Sequence, residues 1–364
     1  MPPAMIARVR ESLPLQQRQR ITFDSTDLAI VLSHFDLGVI ESITDLPRGS
    51  RRSAKVGIVA ERGKFLLKQR TAHRARPERI AFSHRVQALL AAADFPLPKL
   101  IATHANGRLY VQHRDHAFEL FEFVPGQHYA RSPAEAHAAG GILARFHAIT
   151  RNFSFDSSLI VPSGDFHDAP GVRVGLCSIG STLSSHDSFT GNEAELATLI
   201  QMLLETFEKA AEAVNALGFN SFVQRLVHSD WHPGNLLFRD QNVVAVLDYD
   251  SVRRSRTMTD VATGILHFSI ITGDDPATWP DHLDEELFHA FLAGYEANGR
   301  LSQEERRCLP HLMAEALIAE CVPPITETGS VGRWSGFRVL QMVRRKLNWL
   351  QSHGQRLISM NRAP

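Results

Sequence analysis

The chain has few cysteines for its 364 residues: only Cys177, Cys308 and Cys321. They are odd in number and far apart, which argues against a disulfide framework and against a cysteine-rich zinc site. Proteins that use cysteine in this way are typical of reducing compartments. We therefore expect a cytoplasmic location.

The chain also has no net charge, because 39 Lys and Arg residues balance 39 Asp and Glu residues. No global electrostatic field favours nucleic acid or a membrane surface as a partner. The first twenty residues lack the apolar core of a secretory signal, and the longest uncharged apolar run, 261–273, is too short to span a membrane. We expect a soluble protein without a nucleic-acid or membrane partner, and the sequence does not indicate its oligomeric state.

Short apolar runs that are typical of β-strands dominate the first third of the chain. They read VIESI, AKVGIV, KFLLK, LYVQH and FELFEFV, and turn-forming residues separate the first three. A helix is predicted over 79–93, because the following FPLP stops it. Ser132, Pro133 and Glu135 then form a helix start, after which the chain is mostly helical.

This order of elements predicts an α+β fold with two lobes. The N-lobe is an antiparallel sheet with one helix over residues 31–123, preceded by a leader segment over residues 1–30. The C-lobe, over residues 124–364, is mostly helical and begins at a hinge near Val124.

The stretch LVHSDWHPGNLLFRDQNVVAVLDYDS places polar side chains between strand-like apolar runs. If the runs pair as a hairpin centred between Gln241 and Asn242, Asn235 lies opposite Asp248 at the open end. An amide oxygen and a carboxylate side by side are ligands that Mg²⁺ accepts, with phosphate oxygens and water completing its shell. Asp230, five residues before Asn235, can reach the same place and receive a hydroxyl proton.

Two simpler interpretations of this stretch stay open. It could be an ordinary hairpin with polar loop residues, or His228 and His232 could bind zinc. The histidine spacing suits a helix, but Pro233 and the flanking strand signals disfavour a helix there.

The segments HSDWHPGN and LDYD resemble a known motif pair, H-G-D-x-H-x-x-N followed by I-D-F/Y-D. That pair is typical of the superfamily of aminoglycoside phosphotransferases, choline kinases and homoserine kinases, and the resemblance extends over about residues 38–267. It implies a protein-kinase-like fold, ATP and Mg²⁺ as cofactors, Asp230 as the catalytic residue, and Asn235 and Asp248 as metal ligands.

The resemblance also implies a strand lysine for the nucleotide phosphates, and Lys68 in KFLLKQR matches that position. Kinases pair this lysine with a helix glutamate. Here His84 or Arg85 stands near the usual glutamate position, and Glu78 lies about two turns earlier. Whether Glu78 replaces the glutamate, or Lys68 is held in another way, stays open.

The segment PRGSRRSAKVGI would cover the phosphates without a G-x-G-x-x-G or Walker-type pattern. It would depend on Ser50, Ser53, backbone N–H groups and nearby basic residues, although a solvated basic face explains the same residues equally well. FELFEFVPG resembles the inter-lobe hinge of the family. By analogy, the Glu122 carbonyl and the Val124 N–H would bind the adenine edge; a plain core strand is the alternative.

Charge is segregated in the last third of the chain. Residues 257–299 contain acids but no Lys or Arg, whereas residues 328–364 contain Arg and Lys but no acid. The acids could face a cationic acceptor or form a solvated helix face, and the latter is favoured. The basic end is interpreted as a docked helix, with contact to a membrane surface or nucleic acid as the minor alternative. Asp260 is expected to be structural, and Asp250 could touch a second metal ion or cap a turn.

The combined expectation is an ATP-dependent phosphotransferase that moves the γ-phosphoryl group to a hydroxyl of a small-molecule acceptor. The acceptor would be of the aminoglycoside, amino alcohol, hydroxy amino acid or sugar type. The alternative is a non-catalytic nucleotide-binding relative of the same fold, which the absent helix glutamate and the weak glycine loop favour. A protein kinase is disfavoured because residues 228–230 read H-S-D where a protein kinase has H-R-D, and because A-P-E is absent.

Overall fold

The computed structural model describes residues 23–46, 53–70, 74–153, 162, 164–185 and 191–359. Residues 1–22 of the predicted leader lie outside this range. The rest of the leader contains most of helix α1 (Ser25–Leu32), which begins at the N-cap Asp24. Val31 and Leu32 of this helix are buried in the apolar cluster of the N-lobe.

The N-lobe is built on an antiparallel sheet with the strand order β1-β2-β3-β5-β4. Helix α2 (Pro77–Ala92) follows the third strand and begins with a proline at its first position. The predicted strands and helix are confirmed, with ends shifted by a few residues. The strands are β1 (Ile40–Asp45), β2 (Lys55–Ala60), β3 (Gly63–Gln69), β4 (Val111–His113) and β5 (His116–Glu122).

Side-chain alternation explains how this sheet is buried. In β2 every second residue is buried, and Val56 and Ile58 pack in one cluster with Leu67 of β3 and Leu120 of β5. The other face of β3 and β5 points toward the second lobe and carries charged residues. All six residues of β1 are exposed at the edge of the sheet.

The C-lobe is mostly helical, as predicted. Its helices are α3 (Pro133–Ile149), α4 (Pro170–Ser184), α5 (Glu193–Ala216), α6 (Thr257–Ser269), α7 (Glu285–Asn298), α8 (Gln303–Thr328) and α9 (Gly336–Ser359). Its strands form three short antiparallel pairs. They are β6 (Gln224–Val227) with β9 (Arg253–Arg256), β7 (Leu236–Arg239) with β8 (Asn242–Val246), and β10 (Ser330–Val331) with β11 (Trp334–Ser335).

Glycines allow α3 and α7 to pack closely. A Cβ atom on Gly140 would lie 2.0 Å from the Phe291 carbonyl oxygen, and one on Gly294 would lie 2.0 Å from the His137 carbonyl oxygen. The helix start at Ser132 is confirmed, since its hydroxyl accepts a hydrogen bond from the Glu135 N–H at 3.2 Å.

Helix α8 is long and apolar enough to cross a membrane by length and composition, but 78% of the relevant window is buried inside the protein. Its residues are part of the main apolar cluster of the C-lobe. Helix α4 belongs to the same cluster through Val172, Leu176, Ile179 and Leu183. Helix α4 is therefore part of the core.

The segregated charges of the last third are paired with each other. Arg333, Arg338, Arg345 and Arg356, within or just before α9, form ion pairs with acids of the acidic segment. These acids are Asp274, Asp275, Asp281 and Glu285. The docked-helix interpretation of the basic end is confirmed, and these four acids form ion pairs with arginines at the protein surface.

Candidate active site

A cleft between the two lobes contains a cavity of about 1000 Å³. Strands β2, β3 and β5 line it from the N-lobe, and the loop before β7 and the turn after β8 line it from the C-lobe. Of the predicted site residues, this cavity brings together Lys68, Glu122, Val124, Asp230, Asn235 and Asp248. Ser50 lies outside the described residues.

Asp260 holds the backbone of the loop that contains Asp230. The Asp260 carboxylate accepts hydrogen bonds from the His228 N–H at 2.6 Å and the Ser229 N–H at 2.8 Å, and its Oδ2 lies 3.2 Å from His147 Nε2. Ser229 has a left-handed φ of 61°, a conformation that needs such support in a residue other than glycine. The structural role predicted for Asp260 is confirmed.

Aromatic packing anchors the same loop. Trp231 is 1% exposed, and the His228 ring lies 5.3 Å from the rings of both Trp231 and Tyr249, measured between centroids. His228 is thus enclosed by aromatic rings, whereas His232 borders the cleft. Among the residues that the structure describes, no group of three His, Cys, Asp or Glu side chains forms a metal site, so the zinc alternative gains no support.

The predicted hairpin exists, but its register differs from the prediction by one residue. The Asn235 carbonyl accepts from the Leu247 N–H at 2.8 Å, so Leu247, not Asp248, lies opposite Asn235. The turn is Asp240-Gln241, both with left-handed φ, and a bulge beside Leu237 shifts the pairing farther along. The prediction was wrong because neither the turn type nor the bulge leaves a clear signal in the sequence.

Asp248 reaches the cleft through its own backbone conformation. It is the first residue after the hairpin pairing and has a left-handed φ of 62°. Asparagine and aspartate tolerate this conformation better than most residues. Asp248 and Asn235 therefore line the same cavity although they are not paired in the hairpin.

The side chain of Asn235 is oriented by Asp230. Its Nδ2 donates to both the backbone carbonyl and Oδ2 of Asp230, at 2.9 Å each. The amide oxygen remains an acceptor in the cavity that Asp248 also lines, and one carboxylate oxygen of Asp248 does not bind Lys68. This donor set of one amide oxygen and one carboxylate fits Mg²⁺, which takes the rest of its oxygen ligands from phosphates and water.

Lys68 crosses the cleft to the C-lobe. Its Nζ lies 3.0 Å from Asp248 Oδ1 and 2.7 Å from Asp250 Oδ2. Burial by itself lowers the pKa of Lys68, but the charges of Asp250 and Asp248 outweigh it and hold the pKa above its ordinary value. Burial likewise raises the pKa of Asp248, but Lys68 and then Lys55 hold it well below its usual range.

No acid of α2 takes part in this contact. Glu78 is exposed, and the cluster around Lys68 contains residues that the sequence did not point to. Arg70 Nη2 bonds Glu119 Oε1 at 2.8 Å and Ser83 Oγ at 2.8 Å, and it lies 3.0 Å from Asp250 Oδ1. One signal of this cluster was present in the sequence. Two strand-like segments each contain a charged residue, and these residues, Lys68 of β3 and Glu119 of β5, pair directly in the sheet.

The part of the cavity around Lys68 contains several basic side chains. Lys55, Lys68, Arg70 and Arg74 all line it. The Ser53 hydroxyl also borders it but donates to the Gln69 carbonyl. Arg51 and Arg52, like Ser50, lie outside the described residues, so their predicted part in covering phosphates stays a prediction.

The hinge lies at the far end of the same cavity. Strand β5 ends at Glu122, and Phe121, Glu122, Phe123 and Val124 line the cavity. The Glu122 N–H donates to the Lys99 carbonyl at 2.8 Å. Among the described residues, the Val124 N–H has no backbone partner, which leaves a donor at the position where the family resemblance expects one.

Comparison with known proteins agrees with this architecture. The model of the phosphotransferase enzyme family matches residues 44–311. No curated protein matches the chain in sequence. Among solved structures, the chain is similar to a microcompartment-associated aminopropanol kinase, with 17% identity over 92% of this chain and 98% of that chain and a TM-score of 0.68.

Two further structures share the fold. Amicoumacin kinase hAmiN, in complex with AMP-PNP, Ca²⁺ and Ami, has 14% identity over 91% of this chain and 94% of that chain, with a TM-score of 0.66. Choline kinase from Cryptosporidium parvum has 12% identity over 93% and 97%, with a TM-score of 0.60. These similarities confirm the bilobal kinase-like fold. Because the family model covers well over half of the chain, the protein belongs to the phosphotransferase enzyme family.

Proposed function

We propose that the protein transfers the γ-phosphoryl group of ATP to a hydroxyl group of a small molecule. The observation that carries this proposal is the meeting in one cleft of Lys68, from the N-lobe, with Asp230, Asn235 and Asp248, from the C-lobe. These four residue types perform the separate tasks of phosphoryl transfer: binding phosphates, orienting the acceptor and holding the metal.

In this proposal Asp230 orients the acceptor hydroxyl and accepts its proton. Its Oδ2 is held by the Asn235 amide and its Oδ1 lies 3.5 Å from His232 Nε2. The side chain is 36% exposed, so an acceptor can reach it from the cleft. The acceptor oxygen bonds to the γ-phosphorus, the bond to the β,γ-bridging oxygen breaks, and ADP leaves.

Asn235 and Asp248 would hold Mg²⁺. The metal neutralises the charge on the phosphate oxygens when it is bound. Lys68 would fix the phosphates, and Lys55 and Arg74 supply further positive charge along the same wall. Glu122 and Val124 would bind the adenine edge through their backbone groups, and Ser50 would cover the phosphates.

The acceptor would be of the aminoglycoside, amino alcohol, hydroxy amino acid or sugar type. The similar structures include an aminopropanol kinase and a choline kinase, which supports amino alcohols as the first class to test. A cytoplasmic location completes the proposal. The three free cysteines, of which two are buried, support it.

The test is ADP release with Mg²⁺ and ATP against a panel of amino alcohols, hydroxy amino acids, aminoglycosides and sugars, with Asp248→Ala as the blank. Release that depends on both an acceptor and Asp248 is expected, and it would identify the acceptor class. Tight ATP binding without stimulated release by any member of the panel would favour the non-catalytic alternative.

A further inference from the structure

The partner of Lys68 is a question that the proposed function leaves open. Kinases fix this lysine with a glutamate on the helix after the third strand. In this chain, that helix presents Ser83 and His84 toward the cleft side of the sheet, and its acid Glu78 is exposed. The two carboxylates on Lys68 are Asp248 and Asp250, both from the turn after β8.

Asp248 and Asp250 differ in what else they can do. Asp248 has one oxygen that does not bind Lys68 and is 20% exposed to the cleft. The Asp250 side chain is 4% exposed, and each of its oxygens faces a buried cation: Oδ2 faces Lys68 at 2.7 Å and Oδ1 faces Arg70 at 3.0 Å. Both oxygens of Asp250 thus contact a buried cation, whereas only one oxygen of Asp248 contacts Lys68.

Arg70 is itself fixed by two separate elements. Its Nη2 bonds Glu119 on β5 and Ser83 on α2, at 2.8 Å each. Glu119 also lies 2.6 Å from His84 Nε2. The side chains of Arg70 and Glu119 are both 1% exposed, so water does not screen this pair and its geometry is held by the sheet.

We propose that Asp250, held in place by Arg70 and Glu119, replaces the helix glutamate as the positioning partner of Lys68. The inference rests on the proposed function, because it concerns the lysine that would bind the phosphates. When Asp248 binds the metal ion, Asp250 still holds Lys68 in the position from which it would contact the nucleotide phosphates. The placement of Lys68 then depends on β3 and β5 of the sheet rather than on a carboxylate of α2.

The first test is Asp250→Asn, which keeps the shape of the side chain. We expect the KM for ATP to rise and kcat to fall, each by about tenfold, since one charge-assisted contact is lost. The Mg²⁺ concentration for half-maximal activity should stay unchanged, whereas an Asp248 variant should raise it. Glu78→Gln is the matched control and should behave as wild type.

The outcomes separate this inference from the function on which it rests. An inactive wild-type protein would overturn the proposed function itself. An active wild type with normal kinetics in Asp250→Asn would overturn only the present inference. A raised Mg²⁺ requirement with an unchanged KM for ATP would also overturn it, since Asp250 would then be a metal ligand.

A second variant tests whether Arg70 and Glu119 are merely structural. The double change Arg70→Met with Glu119→Leu replaces a buried ion pair by apolar side chains, which is often neutral for stability. Here Asp250, Ser83 and His84 also lose a partner, so we expect the melting temperature to fall. At a temperature where the variant is folded, the KM for ATP should rise about tenfold. Wild-type kinetics in a folded double variant would contradict the positioning role. If the double variant does not fold, the Asp250→Asn result decides.

Discussion

Lys68 of the N-lobe and Asp248 of the C-lobe form an ion pair across the cleft, with Nζ and Oδ1 3.0 Å apart. The pair joins the residue proposed to bind phosphates to the residue proposed to bind the metal. Nucleotide and metal would therefore enter between two groups that attract each other, so each group is charged and oriented before the ligands arrive.

Changing Lys68 to methionine tests the nucleotide side of this pair. The variant should bind ATP about tenfold to a hundredfold more weakly, because a hydrogen bond between charged groups contributes roughly 1.5–3 kcal/mol. Lys64→Met is the matched control, since Lys64 is an exposed residue of the same strand. Equal loss of affinity in both variants, measured by calorimetric titration, would contradict the role of Lys68.

Changing Asp230 to asparagine should reduce kcat by about 10²- to 10⁴-fold, the usual contribution of a positioned proton acceptor. The affinity for ATP should be largely retained, because Asp230 would contact the acceptor rather than the nucleotide. Steady-state kinetics with the acceptor found in the panel would measure both quantities. Wild-type turnover in this variant would remove the catalytic role from Asp230.

Changing Asp248 to asparagine should abolish nearly all activity, because the metal would lose its carboxylate ligand. Asp240→Asn is a suitable control, since Asp240 is an exposed aspartate in the turn of the same hairpin and also has a positive φ. Activity across a Mg²⁺ titration should distinguish the two variants. Comparable Mg²⁺ dependence in both would show that Asp248 is not a ligand.

Glu119 should make stability depend on pH in the acid range. Burial raises the pKa of this carboxyl, but Arg70, His84 and Lys68 outweigh it and lower the pKa from 4.5 to about 2. The ionised form therefore stabilises the fold above pH 4.5, and this contribution is lost as the pH falls from 4.5 toward 2.

The variant that tests this pH dependence is Glu119→Gln. At pH 7 its free energy of unfolding should be lower than that of the wild type by about 3–5 kcal/mol, the usual effect of breaking a buried ion pair. The difference should shrink as the pH approaches 2. Urea unfolding at several pH values measures it, and a difference that does not change with pH would contradict the assigned ionisation.

The close packing of α3 on α7 gives a test of the fold. Gly140→Ala should destabilise the protein by roughly 2 kcal/mol or more, since the added Cβ would lie 2.0 Å from the Phe291 carbonyl oxygen and the helices must separate. Gly141→Ala is the control, because its Cβ would lie 3.5 Å from the nearest atom. That variant should be neutral or slightly stabilised, since alanine favours helix. Equal melting temperatures would contradict the observed packing.

Much of the fold could be predicted because local signals agree with the final structure. The alternation in KFLLK, the FPLP stop and the helix start at Ser132 each act over a few residues. The motif HSDWHPGN was also informative, since its polar residues are spaced among apolar ones that anchor the loop. These signals gave the two lobes and brought the proposed catalytic and metal-binding residues to one cleft.

What could not be predicted depends on contacts between distant segments. Arg70 and Glu119 are 49 positions apart, and each alone is an ordinary charged residue in a strand. From the sequence alone, the acids at 274–285 could have faced a substrate or solvent. In the structure, four of them pair with arginines within or just before α9. The register of the hairpin could not be predicted either, because a single bulge shifts the pairing of all residues beyond it.

The two backbone hydrogen bonds accepted by Asp260 have a consequence for how the site forms. The carboxylate lies about thirty residues after the loop that it supports, on α6, and becomes buried only when that helix docks. A nascent chain that ends before Thr257 contains every residue proposed for chemistry but not the group that shapes their loop. The loop that carries Asp230 therefore takes its shape only after α6 has been made and has docked, and not when the motif itself has been translated.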